Sequence, residues 1–159
     1  AYAIMGESAS GGMAMLSPAD ALDTLHWVAS APIDPATGAR TEIALANPGV
    51  ESAAVTLQAF AADGSPVAQT SVVLAPGGAR VASLDALLGI TALDGWVRVA
   101  SNRPITGAYA VHDGLPGVGV TRLLHGLSSE AIVPDLRGLA GGSHTSITLI
   151  QPERRPFQL

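Results

Sequence analysis

The side chains of this 159-residue chain that could do chemistry are four histidines, eight aspartates and two tryptophans. His26, His112, His125 and His144 lack the i, i+2 or i, i+4 spacing that aims two imidazoles at one metal. They are expected at hydrogen-bonded or solvated surface positions, with His112-Asp113 ending a strand before Gly114. The aspartates fall mostly at turns, and none forms the D-x-D-x-D/N run of a calcium loop. No serine occupies a G-x-S-x-G elbow, and no G-x-x-x-x-G-K-[ST] phosphate loop is present. The chain is therefore expected to be non-enzymatic, with no cofactor and no metal. Trp27 and Trp96 remain as possible partner contacts, because an outward Trp on a strand can stack on a sugar or anchor a protein. The plainer role for each is to cover a sheet edge or a joint between modules.

Charge and composition narrow the partners. The net charge is −5, there is no Lys, and of the eight Arg only Arg154 and Arg155 are adjacent. Nucleic acid, which needs clustered cations against its phosphates, is not expected. Without cysteine there is no disulfide framework or thiolate metal site. No run of about 18 apolar residues exists to cross a membrane as a helix. With aromatics at 4% and an Ala- and Val-rich apolar fraction of 48%, the core must be built from small and β-branched side chains.

Stepping from side chains to the elements that carry them, the chain repeats itself. Ala1-Tyr2-Ala3-Ile4 returns as Ala108-Tyr109-Ala110-Val111, and the segment from Thr41 to Pro48 returns as Thr145 to Pro152. The spacing between the two signatures is 40 residues in one copy and 37 in the other, so the period is 104 to 107 residues. That is the size of one small β-sandwich. The expected organisation is the late strands of one repeat over 1–23, a complete module over 24–127 and the early strands of another repeat over 128–159.

Within the module, apolar residues alternate with polar ones and Gly or Pro punctuates them, which is the signature of strands and turns. Val55, Leu57 and Ala59 share one face, with Thr56 and Gln58 on the other. Asp63-Gly64 makes a hairpin to a strand through Val72-Val73-Leu74. Arg80 to Ser83 reads as a short strand, followed by one helical turn over Leu84 to Leu88 that Gly89 stops. Val97 and Val99 point inward, with Trp96 and Arg98 outward. Asn102-Arg103-Pro104 reads as a tight corner before a strand carrying Ile105, Gly107, Tyr109 and Val111 on one face, and Val118 and Val120 continue beyond the next turn. The fold class is all-β, an antiparallel sandwich.

Asn47-Pro48, Ala62-Asp63-Gly64, Leu74-Ala75-Pro76-Gly77-Gly78 and the run from Gly95 to Ile105 follow a layout that resembles immunoglobulin-like β-sandwich repeats. Such repeats occur in tandem in large secreted or surface proteins of bacteria. The resemblance covers nearly the whole central module; Gln151-Pro152 departs from Asn-Pro in the last copy. It implies a spacer or assembly module at an extracellular or cell-surface location, and it brings no catalytic residues. The expected partners are neighbouring copies of the chain or adjacent repeats of the same protein. Ala1, Tyr2, Ala3 and Ile4, together with Thr145, Ile147 and Leu149, are the candidate strand-exchange residues through which copies would join into filaments by β-strand addition. The other reading is an adhesin or carbohydrate-binding module that engages glycans through an exposed Trp face.

Overall fold

The computed structural model describes residues 3–6, 13–16, 22–112 and 119–125. Alternating apolar residues give the strands β1 (Ala3–Gly6), β2 (Met13–Leu16), β3 (Asp23–Val28), β4 (Arg40–Ala46), β5 (Ala53–Ala61), β6 (Pro66–Leu74) and β7 (Ala79–Ser83). One helical turn, α1 (Leu84–Leu88), precedes β8 (Gly95–His112), β9 (Gly119–Arg122) and β10 (Leu124–His125). All the pairings are antiparallel: β1 and β2 form a two-stranded sheet, and β3 to β10 form one eight-stranded, curled sheet.

The 18-residue β8 organises that sheet. Its first half pairs with β3 on one side and β5 on the other, and β6 lies beyond β5. Its second half pairs with β4 and β9, and β7 lies beyond β4. The sheet folds over so that Ile43 and Leu45 of β4, Val55 and Leu57 of β5, and Val97, Val99 and Ile105 of β8 enter one core. Leu84 and Leu88 of α1 join it. Tyr109 is buried there as well, and desolvation pushes its phenol above the ordinary value despite a backbone hydrogen bond from Ala29.

The β5–β6 turn and the helix stop match the sequence expectation. Gly64 has φ +83° and Gly89 φ +66°, left-handed conformations that side chains resist. The inward Val55, Leu57, Leu74, Val97, Val99 and Tyr109 are buried, whereas Val111 is only half-buried.

Two expectations are corrected. Asn102-Arg103-Pro104 is not a corner between strands but the interior of β8. There one residue of β3, Thr24, faces four of β8, an irregular bulge at which the strand changes partners. Pro104, which has no N–H to donate, is tolerated at such an interruption. The bulge is stitched at several points. The Ser101 hydroxyl donates to the Arg103 carbonyl, the Ala54 N–H donates to the Asn102 side chain, and Arg103 pairs with Glu51. The second correction concerns histidine. His26 is 1% exposed, and its Nε2 lies 3.0 Å from the Asp23 carbonyl and 3.1 Å from that of Ile105. With two acceptors in front of it, Nε2 must carry the proton. His112 is also buried, with Nε2 3.8 Å from a Glu42 carboxylate oxygen.

The Asn-Pro motif has a structural reason. The buried Asn47 amide donates to the Glu51, Leu74 and Ala75 carbonyls and accepts from the Gly49 N–H, tying the loop after β4 to the turn after β6.

Leu57→Ala is expected to lower unfolding free energy by about 2–5 kcal/mol in chemical denaturation, as buried Leu truncations do. Asn47→Ala is expected to lower it by about 1–3 kcal/mol by stripping buried carbonyls of their donor. Asn47→Asp should be worse, because it aims a carboxylate at those same carbonyls; urea titration of the two variants checks the order.

Candidate functional site

Strand register decides which side chains meet on the outer face of the β3–β8–β5–β6 half. Trp27 is opposite Arg98, Arg98 is opposite Gln58, and Gln58 is opposite Gln69. One step along, Phe60 is opposite Trp96, and their rings stack with centroids 4.2 Å apart and planes 14° from parallel. Stacking of this kind favours a fixed ring orientation. Trp27 and Trp96 are diagonal neighbours on adjacent strands, so the two expected contact residues do share a face.

Their exposure differs from expectation. Trp27 is 5% exposed, although it alternates with the core residue Val28 and so points away from the core cluster. It cannot serve as an exposed recognition ring. Its indole N–H has no acceptor among the described residues. Trp96 is half-buried, with one ring face given to Phe60. Phe60 was not singled out from sequence. The alternation Thr56, Gln58, Phe60 placed it on the outer face, but its meeting with Trp96 depends on a register that no local pattern reveals.

Of the strand-exchange residues, Ala3 and Ile4 lie in β1 and pair with Leu16 and Met15 of the same chain. Ala1, Tyr2, Thr145, Ile147 and Leu149 lie outside the described residues, as does the Gln151-Pro152 copy of the motif. The second copy of the Ala-Tyr-Ala signature ends β8, where Ala108 to Val111 pair with Arg122 to Gly119 of β9. Each copy is thus the leading strand of an antiparallel hairpin, and β2 lies beside β9.

A third surface is an open groove of about 310 Å³ at the end of the fold where β3 begins. Leu22 and Val50 are exposed in it, and the Glu51–Arg103 ion pair forms part of its wall. On the other half of the sheet, Glu42 lies between Arg40, at 3.7 Å, and His112. Among the described residues no three His, Asp or Glu converge as metal ligands, and no helix is long and apolar enough to cross a membrane.

The two tryptophans should separate spectroscopically. A chain retaining only Trp27 (Trp96→Phe) is expected to emit at shorter wavelength and resist acrylamide quenching more than one retaining only Trp96 (Trp27→Phe). Equal quenching would contradict the burial of Trp27.

No protein-family model matches the chain, and no curated protein matches it. Among solved structures it is similar to Thermotoga maritima 1070, with a TM-score of 0.52 and 16% identity, over 63% of this chain and 91% of that one. It also matches the Anabaena sensory rhodopsin transducer, with a TM-score of 0.46 and 20% identity, over 55% of this chain and 95% of the other. The Thermotoga likeness extends to a mostly antiparallel β fold and no further.

Proposed function

We propose that this chain is a non-enzymatic structural and assembly module of an extracellular or cell-surface bacterial protein, built from tandem immunoglobulin-like β-sandwich repeats. The observation that carries this reading is the recurrence of one hairpin. Ala3–Gly6 leads into β2 as Ala108 to Val111 lead into β9, about one period apart. A sequence signature that returns at the head of an antiparallel strand pair is what a module array produces. The partners are neighbouring copies or adjacent repeats. Joining through the chain ends in a head-to-tail, non-closing contact would build filaments.

The second reading, an adhesin or carbohydrate-binding module, draws its support from the Phe60–Trp96 stack beside Arg98. An aromatic platform next to a polar row can pack on a sugar face.

A glycan array and electron microscopy of the 159-residue chain separate the two. The structural reading expects elongated or filamentous particles and no saturable glycan binding. Deleting residues 1–16 is expected to abolish filaments while the sheet from β3 to β10 stays folded. Saturable glycan binding lost on Trp96→Ala would overturn the structural reading in favour of the adhesin.

A further inference from the structure

Edge strands present a row of unpaired N–H and C=O groups, and proteins normally blunt them with charge, proline, bulges or brevity. The short edge β7 carries Arg80 and runs directly into α1. The long edge β6 is different. It is nine residues long, pairs only with β5 among the described residues, and contains no charged residue. Its proline is confined to the first position, Pro66, and its one bulge, near Val67, adjoins it. Val67, the bulged residue, and Val73 are both exposed, at 46% and 70%.

The sequence of β6 is also nearly palindromic in residue type. Reading outward from Thr70, Gln69 mirrors Ser71, Ala68 mirrors Val72, and Val67 mirrors Val73. In an antiparallel pair, residues directly opposite each other share a face. Two copies of β6 related by a two-fold axis through Thr70 would therefore set polar Gln69 against Ser71 and exposed Val67 against Val73, twice over. A register centred one residue later would instead place Val73 against Gln69 and leave Val67 without a partner. No like charges would oppose each other in either copy.

We infer that β6 is a self-recognition edge, at which a second copy of this chain adds its own β6 antiparallel about Thr70 and continues the sheet across a two-fold axis. This rests on the reading of the chain as an assembly module and names the edge and the partner. The contact is isologous and closes on itself, so it forms dimers and is distinct from the head-to-tail joining of chain ends.

The test is sedimentation velocity of the 159-residue chain across a wide concentration range, with thermal melts followed by circular dichroism as the control for folding. The wild type is expected to form a concentration-dependent dimer. Val67→Lys with Val73→Lys puts Lys opposite Lys at both symmetric pairs and should weaken the dimer roughly ten- to a hundredfold without moving the melt. Val67→Lys with Val73→Glu puts opposite charges across the axis and should recover most of that loss. Within one strand the two positions are too far apart to pair with each other. A wild type that stays monomeric throughout, a Lys/Lys variant that dimerises like the wild type, or a Lys/Glu variant no tighter than Lys/Lys would each overturn the inference. Larger assemblies formed by the wild type with no dimer step sensitive to the Lys/Lys change would overturn the β6 contact and leave the structural reading standing. Trp96-dependent glycan binding would do the reverse.

Discussion

The fold depends on the requirement that one long strand satisfy its backbone on both edges while changing neighbours halfway along. β8 gives its first half to β3 and β5 and its second half to β4 and β9. Between them, at residues 102 to 104, ladder pairing lapses, and side-chain contacts bridge the gap. His26 reaches the Ile105 carbonyl from β3, Asn102 takes the Ala54 N–H, and Glu51 holds Arg103. Because Val97 and Val99 on one side of the bulge and Ile105 and Tyr109 on the other enter the same core, the two halves cannot separate without opening it.

A sheet closed through its centre in this way leaves its outer strands as the places where other chains can act. β6 and β7 lie at the far ends of the two halves. They are unequal in length and in charge, and that inequality is what the proposed β6 contact draws on. The aromatic face beside it has a different character. Phe60 and Trp96 satisfy each other, and Trp27 is buried, so the outer surface spends its aromatics largely on its own order.

What the sequence disclosed followed the range of the interactions concerned. Strand alternation in Val55 to Ala59, the Asp63-Gly64 hairpin and the Gly89 stop depend on neighbours a few residues away, and they were legible. The continuity of β8 was not. Asn102-Arg103-Pro104 has the composition of a turn, and only the long-range partners of Asn102 and Arg103 keep it within a strand. His26 read as a surface residue for the same reason, since the Ile105 carbonyl that holds it lies 79 residues away. Neither β3 nor the burial of Trp27 was legible, because the pairing that makes that strand comes from β8 and β10, far along the chain. The Phe60–Trp96 stack required the β5–β8 register, and the mirror symmetry of β6 became meaningful only once β6 was found at an edge.

The most direct measurement of this account is native-state hydrogen exchange along β8. A single shared strand locked by its bulge predicts that the buried amides at 97–100 and 106–110 open with one common free energy, equal to that of global unfolding. Two separate opening energies on either side of residues 101–104 would contradict it, because the halves of the sheet would then be independent units joined by a hinge.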